Sequence, residues 1–544
     1  MSRQPSRPVK YLLPIALGLF WALPGLAAEE QPVLELSLQD AVARALENNV
    51  DIAVERFGPD AAAYSITQAY GRYDPSLTGT LYYDNTTSPQ SSAFSGGEKV
   101  NTKTLIYNFG LSQAIRTGGQ FSLSFDNRRQ DTDSVFTTFN PSYSVDLTAQ
   151  FTQPLLANLK IDVGRNQIRA AKKNKEISDV QFRQQVINIR ANVQAAYYNV
   201  IAAMDNLEAA KKNLALAKKL LDENEIKVRV GTLAPLDVVE AQAEVAAREE
   251  GVITAEGLLA DSQDALKRMI FPEYDRAAWA SRVVPTDRYE AQPVQIDIEA
   301  ALKRALEERT DMVAARMGVE TTEYELELAR NQKLPSLNLV ASYGGAGVGG
   351  TNLIRDGLGG PIIDTVPGGY GDAISDAFGL KYPTWAVGLQ FSMPIRNREA
   401  SAVAARAQIA RDQRQSIVRR LELQIATEVR SAGRAVETNF KRVEATRASR
   451  VLMDRRLDAE QKKFAAGMST SYLVTQAQRD LALAEVSQLQ AELDFRKSVI
   501  EFERVQEAGT SGSGSVLSVT AGGLQGLLAS SGASSQSTRA PSPN

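Results

Sequence analysis

Cysteine and histidine are both absent from this chain of 544 residues. Without them there are no disulfides, no Cys/His zinc sites, no thiol nucleophile, no histidine-based triad and no lipidation at an N-terminal cysteine. A dominant charge is lacking too: the net charge is −3, with no polybasic bias toward nucleic acid. No glycine-rich phosphate loop stands in a strand–helix context. Carboxylate-only chemistry stays open, yet no paired-carboxylate pocket stands out. No catalytic residue, no cofactor and no metal is therefore assigned. Beyond the N-terminus, no segment offers the ~18 uninterrupted apolar residues of a spanning helix. If the chain crosses a membrane, it does so with strands.

The N-terminus carries Arg3, Arg7 and Lys10, then the apolar run Tyr11–Leu23, then Gly25 and Ala27 at small-x-small spacing. The run of 13 residues is too short to span a bilayer as a helix. Residues 1–28 read as a signal peptide cut near Ala27 or Ala28, so the mature protein is expected outside the cytoplasm.

The chain repeats itself. LSLQDAVARALENNVD (Leu36–Asp51) aligns with IDIEAALKRALEERTD (Ile296–Asp311) at an offset of 260 residues, which also carries Pro75-Ser76-Leu77 onto Pro335-Ser336-Leu337. Each half is expected to run in the same order. An amphipathic helix (about 37–72 and 297–332) leads to strands (75–153 and 335–393). A very long helix follows (about 160–229 and 398–465), then a glycine turn and a second helix (about 236–269 and 470–507). The halves span 29–295 and 296–508, and the Gly/Ser-rich stretch 509–544 reads as a disordered tail.

The long helix is the clearest object. From Phe182 through Val186, Ile189 and Val193 to Leu221, apolar residues step by four and three without a break. That is a heptad seam. Seventy helical residues would reach roughly 100 Å, too long for a compact domain. Such a helix has to pack along others in an extended bundle or tube.

The strand regions alternate instead. In PSYSVDLTAQFTQPLL, Tyr143, Val145, Leu147, Ala149 and Phe151 are apolar, and Ser144, Asp146, Thr148, Gln150 and Thr152 between them are polar. Similar alternation starts at Leu77, Leu105, Phe121, Leu337 and Trp385, giving six candidate strands. Thr117-Gly118-Gly119 reads as a hairpin turn. Residues 87–99 and 344–382 read as long polar loops on one side of the strand set. Pro75, Pro154, Pro335 and Pro394 mark the joints between strands and helices, where a residue without a backbone donor ends one pattern and starts another. The hairpin over 103–127 has no such joint and reads as an insertion.

Two further motifs, VGTLAPLDVVEAQAEV (Val230–Val245) and AAGMSTSYLVTQAQRDLALAE (Ala465–Glu485), place a glycine turn before an Ala-Gln helix. Together with the duplicated order they make residues 36–508 resemble the TolC-like outer-membrane efflux channels. The resemblance implies an α+β membrane protein: a trimeric outer-membrane β-barrel continuous with a long periplasmic α-helical barrel of coiled-coil helices, with two internal repeats per protomer. It implies a homotrimer that works with a periplasmic adaptor and an inner-membrane pump, set in outer-membrane lipid. On this reading Val145, Leu147, Ala149 and Phe151 face lipid, and Asp146, Thr148 and Gln150 face a watery lumen. The function implied is a passive export duct for small molecules or proteins; the alternative is a non-conducting outer-membrane-anchored coiled-coil tether.

The same resemblance places the periplasmic entrance at the helical tips, near 231–236 and 467–470. Gly231 and Gly467 are the tip turns. Asp237 is read either as a first-turn or cap acid or as a pore acid, with Glu240 one turn on. The latch tyrosine and arginine of some relatives correspond to Phe464 and Ser469, so packing around Phe464, Met468, Tyr472 and Leu473 is the expected gate, or else a docking surface for the adaptor.

Overall fold

The alternating segments hydrogen-bond into one antiparallel sheet, and the heptad segments stand beyond it as four long helices. A computed structural model describes residues 32–89, 99–287 and 291–509. The expected signal peptide, nearly all of the expected tail and the centre of the 87–99 loop lie outside the described residues.

In the first half, β1 (Val33–Leu36) precedes α1 (Leu38–Asn48) and α2 (Val50–Tyr70). Then come β2 (Ser76–Pro89), β3 (Lys99–Ala114), β4 (Gln120–Thr132) and β5 (Phe139–Pro154). Helices α3 (Val163–Arg229), α4 (Pro235–Ile270) and α5 (Arg276–Ala280) lead to β6 (Arg282–Pro285), which pairs in parallel with β1. In the second half, α6 (Ile298–Glu308) and α7 (Thr310–Asn331) precede β7 (Ser336–Arg355), β8 (Ile362–Val366), α8 (Tyr370–Phe378) and β9 (Tyr382–Ser392). Helices α9 (Arg398–Ala465) and α10 (Ser471–Glu507) follow. Among the described residues no helix is long and apolar enough to cross a membrane.

Two expectations need correction, and one point that the sequence leaves open is decided. The leading amphipathic helix of each half is two helices, broken at Asn49 and at Arg309, where ψ opens to 125° and 131°. Asn49 makes its own break: its side-chain oxygen accepts from the N–H groups of Asp51 and Ile52, and its amide donates to Met269 O. Apolar periodicity runs straight through both breaks and hides them. The 103–127 hairpin, the open point, lies within the sheet, whose order is β2-β3-β4-β5-β7-β9, with β8 beside the far end of β7. It widens the sheet rather than standing above it.

Second, residues 344–382 are not a loop. β7 continues to Arg355 through Gly344, Gly345, Gly347, Gly349 and Gly350, and α8 folds back onto it. A Cβ on Gly347 would collide with the carbonyl of Ala373, and one on Gly349 with that of Gly369. The bare strand lets the helix backbone approach, and Ala373 and Ala377 are fully buried against it. Val145, expected to face lipid, is covered by this helix and is 0% exposed. Gly347→Val is expected to push α8 off the strand at a cost of about 1–3 kcal/mol, the usual range for overpacking. The midpoint of denaturant unfolding checks this, with Gly371→Ala, where nothing lies within 4 Å, as the unaffected control.

The helical core forms where the leading helices dock on the long ones. Ala41, Ala45, Val193, Val200, Leu266 and Ile270 pack in the first half, and Ala301, Ala305, Met312, Ile425, Val429 and Val505 in the second. The seam alanines at 196 and 203 are buried, as close helix packing requires.

Candidate functional site at the helical tips

The four long helices end in two hairpins. Gly231 and Gly467 stand at φ +78° and +75°, a region that side chains disfavour. Around the first, Gly231 N–H donates to Val228 O and Thr232 N–H to Lys227 O. Gly467 and Met468 donate in the same way to Phe464 O and Lys463 O. Both turns are thus Schellman closures, which satisfy the last carbonyls of the helix and reverse the chain within a few residues. Pro235 then sits in the first turn of α4, where its missing N–H costs nothing.

Asp237 lies in that first turn, half-buried, but it is not the cap. The N-cap is Ala234, with no side-chain hydrogen bond, so the carboxylate meets only the helix dipole. Glu240 is exposed one turn on. In the second hairpin Thr470 caps α10 by accepting from Leu473 N–H at 3.4 Å. Ser469 donates to Glu460 at 2.8 Å. Hydrogen bonds from Lys463, and secondarily from Ser469, hold the Glu460 carboxyl below its usual range.

The expected gate cluster divides. Met468, Tyr472 and Leu473 are exposed. Phe464 is not with them: it is 4% exposed, packed among Leu220, Leu457, Val474, Ala477 and Leu481. Lys227 reaches over from α3, its ammonium 3.3 Å from the Phe464 ring centre and donating to Phe464 O at 3.1 Å. Phe464 therefore belongs to the interior of the tip, and the missing hydroxyl is replaced by a cation on the ring.

Several polar contacts that join the two hairpins carry no motif in the sequence. Asn224, 0% exposed, donates to Ser471 Oγ at 2.6 Å, and its own side-chain oxygen finds no partner. Glu244 is buried between two guanidinium groups. Arg248 on its own helix donates to one oxygen at 2.8 Å, and Arg479 on α10 donates to the other at 2.6 Å and 2.9 Å. The Glu244 bond raises the pKa of Arg479. Further from the tip, Lys212 and Asn213 both donate to the buried Glu485. A buried acid gives no sign of itself at an ordinary helix position. The one available signal is that Glu244 and Glu485 each directly follow an alanine and precede a valine. Among the described residues, no group of three or more acidic side chains is placed to hold a metal ion.

At the other end, Pro75 and Pro335 precede β2 and β7, and Pro154 and Pro394 stand where β5 and β9 end. The two middle joints touch: Leu155 N–H donates to Leu337 O, and Ala157 N–H to Pro335 O. Sheet and helices are therefore connected side by side.

Paired helices of this length, closed by tight turns and carried on an antiparallel sheet with one apolar face, define a class of outer-membrane channels. The outer-membrane channel CmeC of Campylobacter jejuni superposes with TM-score 0.61 over 92% of this chain and 97% of its own, at 16% identity. The open state of the MtrE channel of Neisseria gonorrhoeae superposes with TM-score 0.57 over 86% and 89%, also at 16% identity. In sequence the chain is 24% identical to the outer membrane protein TolC of Vibrio cholerae over 303 residues, 56% of this chain and 63% of that relative. The family described as outer membrane efflux protein matches residues 41–270 and 301–505, and the chain belongs to that family. It is a family of outer-membrane efflux proteins, not of enzymes.

Proposed function

We propose that the protein is a passive export duct, closed into a barrel by three copies, that passes substrates from an inner-membrane pump and periplasmic adaptor to the exterior. The open sheet carries this reading. Its edge strands β2 and β9 are exposed along nearly their whole length, and they present Leu77, Leu81, Trp385, Val387, Leu389 and Phe391 to the surroundings. Unpaired edges are not tolerated in lipid, so the sheet needs partners. The six long strands alternate in direction, so β9 meets β2 of the next copy antiparallel. Three copies would close about eighteen strands, a size that leaves an aqueous channel. The face carrying Asp146, Thr148, Gln150, Ser122 and Ser124 would line it.

The helices support the same assembly, since exposed apolar side chains such as Ile253, Ile409, Leu423 and Leu483 lie along their length and need neighbours. They would form the periplasmic tube, with the two halves of each protomer as quasi-equivalent repeats. At its mouth, Met468, Tyr472 and Leu473 narrow the entrance, Glu240 and Asp237 favour cations, and Leu236 and Val239 are the contacts for an adaptor. Purified protein in a planar bilayer is expected to give a small, cation-selective current whose reversal potential shifts on Glu240→Gln. Silence from inserted trimers, persisting after the tip contacts are cut, would favour the tether instead.

A further inference from the structure

We infer that α8 is an external foot: it lies on the lipid side of the barrel and seats its C-terminal turn in the outer leaflet of the membrane. This rests on the barrel reading above and adds an element to its outer surface. Val145 pairs with Gly347 and Leu147 with Gly345, while Tyr343 pairs with Trp385 and Leu339 with Leu389. Side chains at directly paired positions share a face. The glycines that receive α8 are thus on the same face as Leu147, Trp385 and Leu389, opposite Asp146, Thr148 and Gln150. If the polar face lines the lumen, α8 is outside.

Its position is held on several strands at once. Tyr370 donates to Asn127 on β4 at 2.7 Å and stacks edge-on against Tyr107 of β3, with ring centres 5.6 Å apart. Phe378 lies 5.7 Å from Phe125, centre to centre. The helix therefore straps β7 to β5 and to the inserted hairpin, and it covers Asn127, a polar side chain beside Val145 on that face, which is 1% exposed.

Depth follows from strand geometry. The apolar band of an outer-membrane barrel is about 25 Å tall. At about 3.3 Å per residue and a tilt near 40°, a band that starts at Phe391 ends roughly nine residues up, at Tyr382. Tyr382 pairs with Ala346, next to Gly345, whose missing Cβ makes room for Ala377 and Leu380. The upper edge of the band thus coincides with the last turn of α8. Around that turn the outer face shows Phe378, 57% exposed, and Trp385, 74% exposed, with the Lys381 ammonium paired to Asp376 close by in sequence. Large aromatic side chains at the headgroup level are what an interfacial anchor presents. The upper half of the helix shows Gly371, Asp372 and Ser375, which suit water. A soluble neighbour would need no such division along the helix axis, whereas a lipid surface does.

The absence of cysteine makes the test clean. Single variants Phe378→Cys, Leu389→Cys, Gln390→Cys and Leu358→Cys are labelled with bimane in the full-length trimer. They are reconstituted into phosphatidylcholine/phosphatidylglycerol vesicles with and without brominated acyl chains. Quenching by bromine is expected to reach at Phe378 at least half of its extent at Leu389. Gln390, on the lumen face, and Leu358, at the rim, are expected to respond to aqueous iodide only. Iodide quenching alone at Phe378, with Leu389 quenched by lipid, overturns the foot and leaves the barrel intact. A Leu389 label blind to brominated lipid overturns the barrel reading itself.

Discussion

Replacing Arg309 with alanine is expected to destabilise the protein by about 3–5 kcal/mol, the range for removing one member of a buried ion pair. Arg309 is 0% exposed at the break between α6 and α7. It donates to both oxygens of Asp311 at 2.9 Å and 3.1 Å, to Glu428 on α9 at 2.6 Å and to Val505 O on α10. One guanidinium thus ties the helix break to both long helices of its half. Without it, Asp311 stays buried with only the Met312 N–H as a donor. Unfolding in guanidinium chloride, followed by circular dichroism at fixed protomer concentration, measures the loss. Fixed concentration matters because assembly adds to apparent stability. The triple variant Arg309→Met, Asp311→Leu, Glu428→Met is expected to recover most of it, since a well-packed apolar replacement leaves no charge unpaired. An Arg309→Ala midpoint equal to the parent's would mean that the cluster contributes nothing.

Cutting the Arg479–Glu244 contact is expected to open the tip. Glu244 is 4% exposed and sits on the first hairpin, while Arg479 reaches it from the second. Coupling between contacting residues of this kind is about 0.5–3 kcal/mol. Half of the Arg479 side chain is solvent-exposed, which favours the lower part of that range. A shift of about 1 kcal/mol still changes an opening equilibrium roughly fivefold. Arg479→Ala should therefore raise open probability several-fold in single-channel records. Adding Glu244→Gln should raise it little further, because the contact is already gone. Arg456→Ala is the control: it removes an exposed ion pair to Asp480 within the second hairpin and should leave gating unchanged. If all three variants gate like the parent, the tip is held by apolar packing and the charged contact is structural.

The two substitutions act at different levels. Arg309 lies where the leading helices dock, so its loss weakens the fold. Arg479 lies between hairpins that are each closed by their own Schellman turn, so its loss is expected to loosen one against the other without unfolding either.

Much of this molecule is legible in its sequence. Period-two and heptad patterns place six long strands and four long helices, because faces buried on one side leave a periodic trace in composition. Gly231 and Gly467 are legible because few other residues tolerate their backbone angles. The family motifs point to the tips as the region to inspect. What only the tertiary structure decided depends on residues far apart in the chain. Gly345, Gly347 and Gly349 read as loop residues, yet α8 occupies the space that their side chains would have filled. Asn49 and Arg309 stand at breaks in helices whose apolar stripes continue: Asn49 caps the next helix through hydrogen bonds, and Arg309 sits in a buried ion-pair cluster, neither of which hydropathy records. Phe464 lies in the interior of the tip because it packs among Leu220, Leu457 and Val474, and Lys227, 237 residues earlier, covers its ring. Glu244 is tied to the second hairpin only through Arg479, 235 residues later. Local pattern records which face of a segment is buried, but which partner buries it is set by the packing of the whole chain.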